Sequence, residues 1–174
     1  GGGDTIVYKR GYGALQINEI DQGPNVNTLA FGSGISPTDV TVTMNDLGQF
    51  TLSLGNGDVV SFTGSGGGKA SGYFPNTYQS YTNAYTGVEA VSFADGTVWT
   101  VDQLVARQVP SSSGTLYGDY GASVFDPSGG ASTITSAGTN DQIVYKIGYG
   151  ALTIEERPGA AVTNNTLVFG PGIT

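Results

Sequence analysis

An internal repeat restricts the fold of this 174-residue chain more than any other feature of its sequence. Residues 4–19 return as 141–156 and residues 27–35 return as 165–173, in the same order. Both blocks lie almost equally far from their copies, so the spacing between them is kept as well. Repeats of this kind predict units that bury their apolar faces against one another. The second copy ends in mid-pattern, which fits a two-copy protein or a tandem parent with three or more copies, and we expect the tandem parent.

Strand patterns dominate the chain between these blocks. Apolar and polar residues alternate over 14–20, 39–44 and 49–54, as they do in half-buried strands. Asn56-Gly57 is the pair that a tight hairpin turn favours. One short helix is expected over 101–107, with Thr100 as its N-cap. These patterns predict an all-β fold with an antiparallel module and at most one short helix.

The composition excludes several classes of function. Fourteen acidic residues against six Lys and Arg give a net charge of −8, so nucleic acid would be repelled. No apolar run in the sequence is long enough to span a membrane. The chain has no Cys and no His, which excludes the ordinary Ser and Cys triads, and we expect no enzyme. Few charges and many glycines are typical of extracellular β proteins.

Several motifs, in a fixed order, resemble one family. They are Asp4-Thr-Ile-Val-Tyr with Gly11-Tyr-Gly, the segment Leu29-Ala-Phe-Gly-Ser-Gly-Ile-Ser-Pro-Thr-Asp-Val, and Val88-Glu-Ala-Val-Ser-Phe-Ala-Asp-Gly-Thr-Val-Trp. Together they resemble the domain attached to RTX, or haemolysin-type calcium-binding, repeats. The resemblance covers about residues 1–107. It implies a secreted, extracellular or cell-surface protein.

Residues 114–146 resemble the RTX nonapeptide array itself. Three nine-residue windows, 118–126, 127–135 and 136–144, place Phe125, Ile134 and Ile143 at their eighth positions. The resemblance implies a short parallel β-roll, in which each window gives one strand and one turn and two windows make one coil.

The same resemblance implies calcium in the turns of the roll. Calcium takes about six to eight oxygen ligands, some of them carboxylate. The sixth positions of the windows are Ser123, Ser132 and Asp141, of which only the last is acidic. Two interpretations stay open: calcium bound by the roll, or a metal-free roll whose hydroxyls satisfy the turns. The candidate ligands are Asp4, Asp119, Asp126 and Asp141.

The sequence predicts three regions and two functional hypotheses. The regions are an RTX-associated β domain over 1–109, degenerate roll repeats over 110–146, and the start of a second copy of the domain over 141–174. The first hypothesis is a structural module of an adhesin, matrix, filament or surface-layer protein that associates with other copies of itself. The alternative is a glycan-binding module on an aromatic platform. That platform would consist of Tyr73, Tyr78, Tyr81 and Tyr85.

Overall fold

The computed structural model describes residues 3–18, 26–63, 87–118, 122–127, 130–136, 138–156 and 164–173. These residues form short strands and one α-helix, which confirms the predicted all-β class. The strands are β1 Thr5–Tyr8, β2 Ala14–Ile17, β3 Thr28–Phe31, β4 Thr41–Met44, β5 Gln49–Gly55, β6 Asp58–Thr63, β7 Ala90–Ser92, β8 Val98–Thr100, β9 Thr115–Tyr117, β10 Val124–Phe125, β11 Thr133–Ser136, β12 Gln142–Tyr145, β13 Thr153–Glu156 and β14 Thr166–Phe169, and the helix is α1, Val101–Ala106. None of the described helical segments is long and apolar enough to cross a membrane.

Two four-stranded sheets build the first copy. One has the order β1-β3-β7-β8 and the other the order β2-β6-β5-β4. The predicted antiparallel pairs are β4 with β5, β5 with β6, and β7 with β8. Parallel pairing extends further than the sequence predicted, because β1, β3 and β7 are parallel and so are β2 and β6. The chain passes from one sheet to the other between β1, β2 and β3, which is the crossover that parallel neighbours require.

The hairpin between β5 and β6 forms as its sequence predicts. Asn56 and Gly57 both have positive φ, as a two-residue turn matched to the strand twist requires. Along β5 the apolar residues are buried and their polar neighbours are half-buried. Phe50 on β5 packs against Phe62 on β6 with ring centroids 5.8 Å apart. The alternation therefore places one face of this sheet in the core.

Helix α1 closes the first copy. The Thr100 hydroxyl accepts from the Gln103 amide and the Gln103 side chain accepts from the Thr100 amide, so a capping box fixes its start. Its apolar face is buried beside Trp99, whose ring lies 4.6 Å from that of Phe93. The sequence placed helix only near residues 100–107, and the structure adds a 3-10 turn at Pro37–Asp39.

The predicted β-roll lies between the two copies. β9 pairs with β11 in one sheet and β10 pairs with β12 in another, all in parallel. Val124 lies opposite Gln142 and Thr115 opposite Thr133, so two nine-residue windows make one coil. The three eighth-position residues named above are all buried. The apolar residues whose spacing identified the windows therefore fill the interior of the roll.

The second copy continues the roll without a break. β13 adds to β11 in parallel, and β14 adds to β12 in parallel. The roll meets the first copy through the packing of α1 on β10 and through hydrogen bonds: the Val109 amide donates to the Val42 carbonyl at 2.8 Å, and the Gln108 side chain donates to the Tyr117 carbonyl at 2.7 Å. The roll and the second copy therefore share both of their sheets.

Candidate functional site

The turns that precede the repeated strands have the same contacts in both copies. The Asp4 amide donates to the Asn27 side-chain oxygen at 3.0 Å, and the Asp141 amide donates to the Asn165 side-chain oxygen at 2.9 Å. The Thr28 and Thr166 amides each donate to the carbonyl of the preceding coil's aspartate, both at 2.8 Å. The repeat in sequence is therefore a repeat in hydrogen bonding.

These contacts form a directional series, which we call the turn ladder: Ser123 to Asp141 to Asn165 in the roll, and Asp4 to Asn27 to Glu89 in the first copy. The Ser123 amide donates to the Asp141 carboxylate at 2.7 Å, and the Asn27 amide donates to the Glu89 carboxylate at 2.6 Å. Each coil thus donates a backbone N–H to a side chain on the coil that follows it. A polar side chain at this turn position links two neighbouring coils.

The Gly11-Tyr12-Gly13 loop of the first copy holds a carboxylate. The Gly11 and Gly13 amides donate to Asp58, both at 2.9 Å, and the Tyr8 hydroxyl donates to it at 3.1 Å. Both glycines have positive φ, which lets their amides converge on one acceptor. These amide hydrogen bonds hold the pKa of Asp58 below its usual range. Asp58 therefore links the start of β6 to the loop between β1 and β2.

The second copy has the same loop with a different neighbour. Gly148 and Gly150 have positive φ like Gly11 and Gly13, and the Tyr145 hydroxyl donates to the Gly150 carbonyl at 2.6 Å. The acid near this loop is Asp126, which accepts from the Lys146 ammonium at 2.6 Å and from the Tyr149 hydroxyl. The Lys146 contact is the main reason that the pKa of Asp126 lies below its usual range.

Solvent exposure separates the two copies. Leu29 is fully buried whereas its repeat Leu167 is 43% exposed, and Phe31 is 3% exposed whereas Phe169 is 57% exposed. In the first copy β7 lies on β3 and β6 on β2. Among the described residues no strand lies beyond β13 or β14, which end their sheets. Within the described ranges, the second copy therefore ends both sheets of the roll on exposed strands.

The predicted calcium ligands do not come together in the described part of the chain. Asp119 lies outside the described residues, Asp4 is exposed at a sheet edge, and Asp126 is paired with Lys146. Asp141 is buried, which raises its carboxyl pKa, and its two oxygens accept from the Ser123 amide and the Ser136 hydroxyl. Within the described ranges no three potential ligands are grouped as a metal ion would require. The described turns therefore bring no cluster of carboxylates together, and calcium in the roll stays a prediction.

The other predicted site, the platform of Tyr73, Tyr78, Tyr81 and Tyr85, lies outside the described residues and stays a prediction. The sequence interpretation did not assign a role to Asn27 or Asn165, although both open the second repeated block. Their recurrence was the available signal for the turn ladder. No comparable signal pointed to Asp58, which lies in no repeated block.

Comparison with known families supports the resemblance drawn from the motifs. Residues 71–103 match the model of the haemolysin-type calcium binding protein related domain. The match confirms the predicted resemblance over a narrower range than 1–107, and its described part holds β7, β8 and the start of α1. Proteins of this type are typically secreted, and their calcium-binding domains are generally non-enzymatic. Neither the comparison with curated proteins nor that with solved structures gave a match.

Proposed function

We propose that this chain is a structural module of a secreted or cell-surface repeat protein of the adhesin, matrix, filament or surface-layer type. One observation carries the proposal: the second copy repeats the turn contacts of the first while it extends the sheets of the roll. One cross-section therefore recurs along the chain, and copies added to it lengthen the same structure. The role is to provide length and to associate with other copies.

The composition supports an extracellular and non-catalytic role. A net charge of −8 keeps such a protein soluble, and the lack of Cys makes folding independent of the redox state of its surroundings. The acids that the structure describes in detail serve structural hydrogen bonds: Asp58 in the glycine loop, Asp126 with Lys146, and Asp141 in the turn ladder.

Strand pairing supports a division of the chain into two cooperative parts. The first is the proposed domain 1–109, with its own pair of sheets. The roll, predicted over 110–146, pairs along whole strands with the second copy, predicted over 141–174. We propose that these two regions fold as one part, because parallel ladders on both sheets connect them.

We also propose that the described turns of the roll hold together through their own hydrogen bonds, without calcium. The Asp141 carboxylate supports this, because protein donors occupy both of its oxygens. A ligand that binds only the folded state raises stability with its concentration. We expect the same melting temperature in millimolar calcium and in chelator. A rise with calcium that Asp119→Asn abolishes and Asp46→Asn leaves intact would instead assign calcium to the predicted ligand set.

The structural role predicts that the whole 174-residue chain associates with itself. Sedimentation over a hundredfold range of protein concentration should show a mass that rises with concentration. Leu167→Asp should reduce this association, since it places a charge on the open end of the roll. Leu47→Asp is the matched control, because Leu47 is equally apolar and 65% exposed on a hairpin of the first copy. A monomer at every concentration would contradict the proposed role.

A further inference from the structure

We propose that Asn56 is a site of spontaneous deamidation, and that the change releases Asp58 from the Gly11-Tyr12-Gly13 loop of the first copy. Asn56-Gly57 is the only Asn-Gly pair in the sequence. Of all residues that can follow an asparagine, glycine hinders this reaction least, because it has no side chain beside the attacking nitrogen. The pair that favours the hairpin turn is therefore also the pair that favours this modification.

The reaction uses only the chain and water. A base in solution removes the proton from the Gly57 backbone amide, and the nitrogen attacks the side-chain carbonyl carbon of Asn56. The new carbon–nitrogen bond closes a succinimide ring, while the bond to the side-chain nitrogen breaks and this nitrogen leaves as ammonia. Water then opens the ring at either carbonyl, which gives aspartate or isoaspartate. Because no enzyme is needed, the altered fraction grows with the age of the protein.

Both reacting groups are accessible in the hairpin between β5 and β6. Asn56 and Gly57 are exposed, and a side chain added at Gly57 would meet no atom within 4 Å. Among the described residues, no hydrogen bond is formed by the Asn56 side chain or by the Gly57 backbone amide. The attack on Asn56 therefore breaks no existing hydrogen bond of either group.

Asn45, in the hairpin between β4 and β5, has the opposite environment. Its side-chain oxygen accepts from the Leu47 and Gln49 amides, both at 3.0 Å, and its side-chain nitrogen donates to the Gln49 side chain at 3.3 Å. Asp46 follows it in the sequence, and a carboxylate beside the attacking nitrogen disfavours the negative charge that this nitrogen must carry. Two successive hairpins of one sheet thus contain a reactive and a protected asparagine.

The position of Asn56 gives the modification a structural consequence. Gly55 pairs with Asp58 across the turn, and Asp58 accepts from the Gly11 and Gly13 amides. Aspartate at position 56 keeps the length of the turn and tolerates a positive φ. Isoaspartate adds a methylene to the backbone, so the turn no longer brings Gly55 opposite Asp58. Asp58 then moves away from the loop, whose amides lose their acceptor.

Incubation of the full chain at mildly alkaline pH tests the site. Peptide mapping by mass spectrometry should show conversion of Asn56 with isoaspartate among the products, whereas Asn45 should keep its amide. The same chain unfolded in urea, incubated in parallel, sets the period over which an unrestrained Asn56 reacts. An intact Asn56 amide in the folded chain after that period, or equal conversion at Asn45, overturns the proposal.

Melting temperatures test the release of Asp58. The aged chain should melt a few degrees below the fresh chain. Asn56→Gly should remove this loss, because glycine adopts a positive φ without a side-chain amide. Fresh Asn56→Asp should melt like the fresh parent chain, since it supplies the charge without the added methylene.

Asp58→Asn completes the test, because it removes the carboxylate that the loop amides bind. Ageing should lower the melting temperature of this variant less than that of the parent chain, since the contact that ageing breaks is already weakened. Equal losses on ageing in the parent chain and in Asn56→Gly would overturn the proposal. So would equal losses in the parent chain and in Asp58→Asn, or a fresh Asn56→Asp variant that melts like the aged chain.

Discussion

The two copies of the repeat share their backbone contacts, but they differ in whether further strands pair with the repeated strands. Both have the aspartate-to-asparagine turn bond, the two positive-φ glycines and an edge-on pair between the strand tyrosine and phenylalanine. In the first copy β6 and β7 extend the two sheets. In the second copy the same side of β13 and β14 is open in the described part of the chain. Nearly equal sequences thus form one buried and one exposed surface.

The difference teaches that the fold of the repeated strands and the burial of the repeated strands have separate origins. The local turn bonds and the parallel pairing to a neighbouring coil suffice to define the strands, since both copies have them. Burial depends on the coil that follows. The copies therefore serve as matched sites in one molecule, at which the same substitution tests the contribution of the following coil.

The largest expected contrast is between Phe31→Ala and Phe169→Ala. Loss of a buried phenylalanine costs about 3–5 kcal/mol of unfolding free energy, whereas loss of a largely exposed one costs less than about 1 kcal/mol. Urea denaturation at a low protein concentration, at which the proposed association between molecules is lost, measures both values. Equal losses would show that the second copy is as well packed as the first and would contradict the comparison.

A smaller contrast is expected between Asn27→Ala and Asn165→Ala. Asn27 is buried, and its side chain accepts from Asp4 and donates to the Gly87 carbonyl at 3.0 Å. Its loss leaves buried groups unsatisfied, at a cost of about 1–3 kcal/mol. Asn165 is only half-buried, and its loss should cost less, about 1 kcal/mol. The same denaturation series measures both. If Asn165→Ala lowers the free energy of unfolding more than Asn27→Ala does, the turn ladder contributes more stability in the roll than in the first copy.

The smallest expected effect is on the free energy of unfolding at acidic pH. The Gly11 and Gly13 amides hold the pKa of Asp58 below its ordinary value, so the folded state prefers the carboxylate. This contribution is present above the ordinary aspartate pKa of about 3.9 and is lost as the pH falls through the lowered pKa. Asp58→Asn should therefore flatten the acid limb of a stability profile. An unchanged limb would mean that Asp58 adds no pH-dependent stability.

Asp141 has the opposite effect on stability as the pH falls. Burial raises its carboxyl pKa, so the folded state prefers the protonated form and this contribution grows as the pH falls towards the ordinary aspartate value. Asp141→Asn should remove that gain at low pH. The comparison of Asp58→Asn with Asp141→Asn separates the acid sensitivity of the first copy from that of the roll.

Much of the fold could be predicted because its signals are local. The helix start follows from Thr100 and Gln103, the β5–β6 hairpin from Asn56-Gly57, and the roll from apolar residues at a nine-residue spacing. In each case the residues that specify the element are neighbours or recur at a fixed period.

The rest could not be predicted because it depends on contacts between distant residues. Asp58 binds a loop far earlier in the chain, and an isolated Asp in a turn has an ordinary local explanation. The parallel pairing of β2 with β6 is equally non-local, since period-two alternation does not name a partner. The pairing of Asp126 with Lys146 likewise joins residues that are 20 positions apart, the first at the end of a window and the second beyond the last window.

Helix α1 has a consequence for mechanical strength. Strands on both sides of it are joined by whole ladders, whereas the two parts meet at the helix through the packing of α1 on β10 and through single hydrogen bonds such as that from the Val109 amide to Val42. Under tension along the chain, single hydrogen bonds yield at a lower force than ladders that share the load. Each repeat would then contain one compliant point between stiff lengths of sheet. A fibre built from such repeats would extend in steps at its helices before any sheet unfolded.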